Sequence, residues 1–584
     1  SIVEGSGRAH QKSFRVGTAW QRYSFSATLS DEIAFVTVGL DADEKTPLPV
    51  TLWLDALQLE EGNAASVYEP TFPVEFGLEA QREGNVYAAG EPVAPRLVLH
   101  NNGPQPASVK CALSVEDFFG TVVHRSESAA SVPAGGASTV TLSPSISDVG
   151  FYRLNLAVAG DGWKSSRSIR LAVVQPFDKA HPGADGFLGI NHAFVSDLFM
   201  RRARAMGVTW VRSWFAKWQD VEREKGRFDF AEADLQMQWL KRMGCHVLLC
   251  LSDPSNEWAS TAPTDLKDHT REESQSRRVW WLPKSFDDYE RYVQEVAKHF
   301  DGQVRHYEVF NEPTDPKGGQ GCNLDMGRNY ATFVQRARSG ARAVSKDNLI
   351  FSAGLHYLKP IPDLRPVLNY ADVLSEHWYP GLAPTESFAR NIGLSRKAMG
   401  DAGCLRPIWI TEYGIYADDD PDPTTAVSKF TVHRGKDSER LVATYAVKHH
   451  VIALANGVEK VFYHIGNWPF MLNREHGCCF HPFFEWGGAP RKAYVALNAL
   501  ATRLPPGTRF VRSRKGENAL FAFEFAAGDT HTAILWAEGP ASFAAPVRKS
   551  LADAGIRFFD VAGAKQSELP AEPPDSPLYL VATG

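Results

Sequence analysis

Cysteine is scarce in this sequence. Seven cysteines in 584 residues, an odd number spread thinly, exclude a fold framed by disulfides. Long apolar runs are absent as well: no stretch reaches the about 18 consecutive apolar residues that a membrane-spanning helix requires, and the polar segment after Ser1 holds no apolar signal-peptide core. Nor is positive charge in excess. Against 62 Lys and Arg stand 68 Asp and Glu, a net charge of -6 that leaves no electrostatic footprint for nucleic acid or an anionic membrane. A neutral partner fits better. Ser1 in place of an initiator methionine marks a processed or trimmed chain.

What is present is the make-up of a globular protein, 44% hydrophobic and 22% charged, too apolar for a disordered chain. The length exceeds the roughly 250–300 residues at which single cores stop growing, so three or four domains are expected. Residues 1–72 alternate as strands do, as in Trp20–Ser26 and Ala34–Gly39. They end in Val50-Thr-Leu-Trp-Leu-Asp-Ala-Leu-Gln-Leu-Glu-Glu-Gly62 and Tyr68-Glu-Pro70, which resembles the closing strands of jelly-roll carbohydrate-binding modules. So short a stretch covers only part of such a fold, which puts Ser1 inside a domain; a small sheet capping its neighbour is the alternative. Residues 73–176 read as short strands between Gly, Pro and Asn turns, and Gly150-Phe-Tyr-Arg-Leu-Asn-Leu-Ala-Val158 resembles a late strand of an immunoglobulin-like sandwich, expected as a spacer. Gln175–Gly183 is the expected linker. At the other end, Ala519–Phe525 and Thr532–Ala537 mark a small C-terminal β-domain, 506–584.

Between these, residues 183–505 alternate strands with helical stretches, the order that implies a parallel sheet. Eight strand candidates follow one another: Phe187–His192, Val208–Trp214, His246–Leu251, His306–Glu312, Leu349–Gly354, Asp372–Tyr379, Pro407–Tyr413 and Lys460–Ile465. Stretches such as Phe286–Phe300 repeat apolar residues at three and four, the pattern of an amphipathic helix. The expected architecture is a (β/α)8 TIM barrel flanked by β-domains. Such barrels build their sites at the C-terminal face. Two glutamates stand there: Glu312, closing His306-Tyr-Glu-Val-Phe-Asn-Glu-Pro313, and Glu412, in Pro407-Ile-Trp-Ile-Thr-Glu-Tyr-Gly414. One strand-end glutamate is more often a surface or capping group. A pair can divide the work of glycosidic bond cleavage, one acid protonating the leaving oxygen while the other carboxylate attacks C1 or activates water.

Asn311-Glu312-Pro313 and Thr411-Glu412-Tyr413-Gly414 resemble the motifs of glycoside hydrolase clan A, nearest in pattern to family 39 and then to families 10 and 5. The resemblance runs along the whole barrel and implies a retaining glycosidase acting on a β-linked glycan, with Glu312 as acid/base and Glu412 as nucleophile. It implies carboxyl groups about 5–5.5 Å apart and a covalent glycosyl-enzyme intermediate. It also implies a substrate-binding set. Asn311 corresponds to the clan residue that binds the sugar 2-hydroxyl. Arg212, in Val208-Thr-Trp-Val-Arg-Ser-Trp214, matches a second-strand arginine whose charge would keep Glu412 ionised. His377 and Tyr379 alternate in Ser375-Glu-His-Trp-Tyr-Pro-Gly381, so both can face the mouth and orient the nucleophile or touch the sugar; packing is the alternative. Trp468 stands where clan enzymes keep an aromatic floor, and His192 closes the first strand. Trp281 lies with Trp258, Arg277, Arg278 and Trp280 in the connection 252–284, read as a lid or subsite wall or else a solvated excursion.

His476-Gly-Cys-Cys-Phe-His481 has the residue types of a zinc site, but adjacent cysteines seldom both reach one tetrahedral ion, so a vicinal disulfide or free thiols are expected and no metal. Cys245 and Cys250 read as small buried hydrophobes. Nothing in the sequence calls for a cofactor. The expected partner is an oligo- or polysaccharide, and analogy with modular polymer degraders favours a secreted or periplasmic setting. A carbohydrate-binding protein without turnover, or a transglycosylase, would carry the same residues.

Overall fold

The computed structural model describes residues 2–583 apart from 5–7, 31–33, 37, 40–51, 80, 195–196, 253, 255, 263–280, 313–328, 354–364, 418, 420–430, 433–437, 466–481, 486–487, 544 and 573. The eight apolar runs become eight strands: β1 (Leu188–Asn191), β2 (Trp210–Ser213), β3 (His246–Leu251), β4 (His306–Val309), β5 (Leu349–Phe351), β6 (Leu374–Trp378), β7 (Ile408–Tyr413) and β8 (Val458–His464). They pair in the order β5-β4-β3-β2-β1-β8-β7-β6, and every pairing is parallel. A bridge between Phe351 and Val373 closes the ring from β5 to β6, with Ser352 N donating to Val373 O at 3.1 Å and Asp372 N to Ile350 O at 2.7 Å. The fold is thus a TIM barrel.

Alternation along each strand sends one residue into the barrel and the next toward the outer helices. The inward residues near the strand starts, Trp210, Leu248, Phe351, Val373, Trp409 and Phe462, pack as one cluster and fill the N-terminal end. That leaves the polar inward positions at the C-terminal face. Outside lie α1 (Phe286–His299), α2 (Asn329–Val344), α3 (Thr385–Asp401), α4 (Ser438–Ala455) and α5 (Lys492–Arg503). Ser285 caps α1 by accepting from Asp287 N at 3.2 Å.

Ahead of the barrel, a five-stranded sheet runs in the order Val86–Ala88, Trp163–Val174, Gly150–Gly160, Ala107–Glu116, Val122–Val132, and a three-stranded sheet pairs Val74–Glu79, Arg96–Asn101 and Ala137–Thr141. Both send side chains into one core, Val74, Leu97 and Leu99 from the small sheet meeting Val115, Leu154 and Val173 from the large one, which makes a β-sandwich. Tyr152 donates its hydroxyl to Asp148 O at 2.9 Å, the tyrosine-corner arrangement of immunoglobulin-like folds. Behind the barrel lies a six-stranded antiparallel sheet that includes Leu520–Ala527 and Thr530–Ala537.

The first 72 residues differ from their alternating pattern. Among the described residues they hold three short strands, Ile2–Glu4, Ala9–His10 and Ala34–Val36, and the expected strand Trp20–Ser26 does not form. A strand persists only where a neighbour takes its backbone N–H and C=O groups, and alternation cannot supply that neighbour.

The helices α1 and α2 approach so closely at Gly340 that a Cβ there would stand 2.5 Å from Glu290 O and 3.0 Å from Gln294 N. Both obstacles are backbone and cannot step aside. Gly340→Ala is therefore expected to lower stability by about 1–3 kcal/mol, read as a shifted midpoint in urea with an unchanged slope.

Candidate active site

Strand alternation alone would not build the mouth of this barrel; two irregularities do. On β4, His306 and Glu308 face inward, and Phe310 would follow them. Instead Phe310 adopts φ 70° and turns outward onto Phe333 of α2, ring centroids 4.4 Å apart. The chain is thereby reset so that Asn311 and Glu312 reach the mouth, Glu312 itself at φ 46°. Positive φ in a bulky residue costs energy and recurs at functional sites. On β7 the pairing to β6 slips by one residue, Glu376 opposing Ile410 and His377 opposing Glu412. That bulge lets the consecutive Thr411 and Glu412 both point inward, Thr411 donating to Glu308 Oε1 at 2.8 Å.

Arg212 sits in the middle, fully buried. Its Nε donates to Glu308 Oε2. Its Nη1 donates to Asn191 Oδ1 at 3.2 Å and to Glu412 Oε2 at 3.3 Å, and its Nη2 to Asn311 Oδ1 at 2.9 Å. The guanidinium face lies over the Trp214 ring, 4.3 Å from its centroid. Glu412 Oε2 also accepts from Asn191 Nδ2 at 2.7 Å, and Oε1 accepts from the Tyr379 hydroxyl. Burial alone would raise the Glu412 carboxyl, but the His377 and His464 imidazoles, the Arg212 guanidinium and the Tyr379 hydroxyl outweigh it and hold the group well below its ordinary value. Glu412 is accordingly an anion across the neutral range.

His377 joins the two carboxylates. Its Nδ1 is 2.7 Å from Glu312 Oε1 and 3.7 Å from Glu412 Oε2. The donor atoms of Glu312, His377 and Glu412 all lie within 4.8 Å of one another, and this is the one group among the described residues with the types and spacing to hold a metal ion. The guanidinium beside Glu412 and the direct bond between His377 and Glu312 account for the cluster as a charge-paired site instead. Glu412 is buried, whereas the Glu312 side chain keeps 26% exposure and so opens to the mouth.

The residues singled out in the sequence fall unevenly around this centre. Arg212, His377 and Tyr379 meet the two glutamates, and Asn311 joins them through Arg212. His192, at φ 67°, bonds neither carboxylate; its ring stacks on Trp214 at 4.6 Å, and burial pushes its pKa down to about 3, leaving it neutral. Trp281 is half-buried just before α1 and is not among the groups bonded to either glutamate. Trp258, grouped with it in the sequence, packs edge-on against Trp218 and donates to Glu222 O at 3.1 Å, a packing role. Trp468, Arg277, Arg278, Trp280 and the run His476–His481 lie outside the described residues.

Four inward groups went unmarked in the sequence. Glu308 is fully buried and takes Arg212, Thr411 and the Cys250 thiol, whose Sγ lies 3.2 Å from Oε2. Cys250 is thus more than a small hydrophobe, since burial keeps it a protonated donor. Asn191 bonds Glu412, and His464 faces it, placed by Tyr416, whose hydroxyl donates to His464 O at 2.9 Å and lies 3.1 Å from Nδ1. The available signal was an acid or amide at an inward position of an apolar strand, which a core does not accept without a partner.

Barrel, paired carboxylates and central arginine define a TIM barrel with a charge-paired mouth, and known proteins share the barrel. A model of glycosyl hydrolase family 10 matches residues 211–352, which span β2 to β5. Among solved structures, a family 39 glycoside hydrolase from the gut symbiont Bacteroides cellulosilyticus WH2 aligns with TM-score 0.58 at 15% identity, over 85% of this chain and 99% of that one. A conserved exported protein from Bacteroides fragilis aligns with TM-score 0.45 at 12% identity over 68% and 97%, and a glucosidase from Croceicoccus marinus with TM-score 0.42 at 13% identity over 69% and 82%. No curated protein matches the sequence. The family match agrees with the resemblance to clan A and supports a glycosidase, and the family 39 structure shares the fold.

Arg212→Met strands Glu308 and Glu412 as buried anions without their cation. Stability at pH 7 should fall by about 3–5 kcal/mol. The intact protein keeps the Glu412 contribution above about pH 4.3 and loses it as pH drops through the lowered pKa, while in the variant Glu412 takes up its proton at higher pH. Urea titrations across pH should therefore show the gap between the two proteins narrowing toward about pH 4.

Proposed function

We propose that this chain is a retaining glycoside hydrolase that cleaves a β-linked glycan by double displacement, with the sandwich 73–176 and the C-terminal β-domain 506–584 as auxiliary domains of the barrel 183–505. The observation that carries this reading is the pairing of Glu312 and Glu412 with His377, donor atoms within 4.8 Å of one another. Retaining enzymes hold their carboxyl groups about 5–5.5 Å apart; inverting enzymes leave about 6.5–9.5 Å for a water. The close approach of the two supports the retaining arrangement.

In the first step Glu312 gives its proton to the glycosidic oxygen while Glu412 attacks C1, so the C1–O bond breaks and a glycosyl ester forms on Glu412. In the second, Glu312, now a carboxylate, takes a proton from water, whose oxygen displaces Glu412 from C1. His377 serves both states: protonated Glu312 donates to its Nδ1, and ionised Glu312 accepts from it. Asn311, fixed by Arg212, is positioned for the sugar 2-hydroxyl. The environment of Glu412 suits a nucleophile that stays charged at neutral pH.

A panel of β- and α-linked aryl glycosides and plain polysaccharides tests this. Glu412→Ala should lose turnover and regain it with azide, giving the α-glycosyl azide. Glu312→Ala should lose about 10²–10⁴-fold on substrates with poor leaving groups. Full activity of Glu412→Ala would overturn the assignment; glycan binding with no turnover by the intact protein would favour a binding protein. The acid limb of kcat/KM should fall below the ordinary Glu value of about 4.3, because Glu412 is held lower.

A further inference from the structure

The strand β7 carries the Glu412 side chain, and the chain leaving it passes Gly414 and Tyr416. Gly414 is wedged there: a Cβ would meet Tyr379 Cε1 and the Tyr416 hydroxyl oxygen, each at 2.5 Å. Tyr416 thus stands on the same side of Gly414 as Tyr379, which bonds Glu412, and it bonds His464, which faces Glu412. What holds Tyr416 in place is the other end of this segment, and that end is anchored by charge.

Asp419 and Glu439, the latter on the first turn of α4, are both buried. Glu439 N donates to Asp419 Oδ1 at 2.8 Å. Two like charges this close need cations. Arg491, just ahead of α5, supplies one, its Nη1 reaching Glu439 Oε1 at 2.7 Å and Ala417 O at 3.3 Å. Lys492 Nζ supplies a second, 3.4 Å from Asp419 Oδ2, and a third comes from a different part of the chain. Arg170 of the sandwich strand Trp163–Val174 reaches Glu439 Oε1 with Nη1 at 2.5 Å and Glu485 Oε1 with Nε at 2.7 Å, and it is 7% exposed. Arg153 of the neighbouring sandwich strand lies 3.7 Å from Asp419 Oδ2. A sandwich that merely spaced domains apart would have no need of a buried arginine aimed at the acids behind the catalytic strand.

We propose that the sandwich is a working part of the site: through Glu439 and through Arg491, which bonds Ala417 O, Arg170 fixes the segment 413–417 so that Tyr416 holds His464 against Glu412. Arg170 is a positioning residue, and its effect on turnover rests on the glycosidase reading above. Arg170, Glu439 and Arg491 are all buried, and hydrogen bonds through Glu439 Oε1 join the two arginines, the second of which donates to Ala417 O.

The test is Arg170→Met in the full chain, read two ways. Hydrogen exchange should quicken about tenfold or more in peptides covering 412–417, and stay unchanged in β1 and β3. If the chain hydrolyses a glycoside, kcat should fall about 10²-fold with KM moving much less, since misplacement of the nucleophile's partners harms the transition state and not substrate capture. Arg170→Lys, which keeps the charge, should recover part of both. Should Arg170→Met fail to fold, Glu439→Gln and Arg170→Lys carry the same measurements. Unchanged exchange at 412–417 in a folded variant, or activity per folded molecule equal to the parent, overturns the proposal. A parent chain that cleaves no glycoside sinks the glycosidase reading alone, and the exchange data still decide this one.

Discussion

One guanidinium in the barrel interior sets the conditions for everything around it. Two buried carboxylates, Glu308 and Glu412, point into the barrel, and both are held there by Arg212. An unpaired anion in that position would protonate or force the barrel open. The planar fork of arginine does more than neutralise: its nitrogens fix the positions of Asn191 and Asn311 on β1 and beyond β4 while one face lies on Trp214. A lysine would supply the charge without the geometry.

Around that pair the backbone departs from regularity where polar groups reach the mouth. The left-handed Phe310 and Glu312 and the slipped pairing opposite Thr411 each displace an inward-facing position by one residue. They put consecutive polar groups at the mouth, which an undistorted strand, sending alternate residues to opposite sides, cannot do. The outward residues at these irregularities remain packed: Phe310 against α2 and Tyr413 against His449 of α4. Packing on the outer face thus stabilises the strain on the inner one.

Much of this was readable beforehand. Seven of the eight barrel strands fall within runs that apolar patterning marks, because a buried parallel strand must be apolar along most of its length, and β8 begins two residues ahead of its run. The two glutamates and four of their neighbours followed from strand-end position and motif. Glu308 did not, since its run was read as a strand whose acid lay only at the end; a charge four residues before the mouth has meaning only once β2 is known to bring Arg212 beside it. Tyr416 and His464 were hidden for the same reason, their contact joining the segment after β7 to the end of β8. The first 72 residues show the opposite failure, alternation without strand, because pattern specifies a face and not a partner.

The central claim is that Glu412 attacks C1 from a position too close to Glu312 to admit a water. Proton NMR of the first-formed product from a β-glycoside that the chain cleaves tests it most directly, before the sugar equilibrates between its anomers. The account predicts that the β-hemiacetal signal grows in first, the α-anomer following by slow mutarotation. An α-anomer appearing first would mean single displacement by water, and would contradict it.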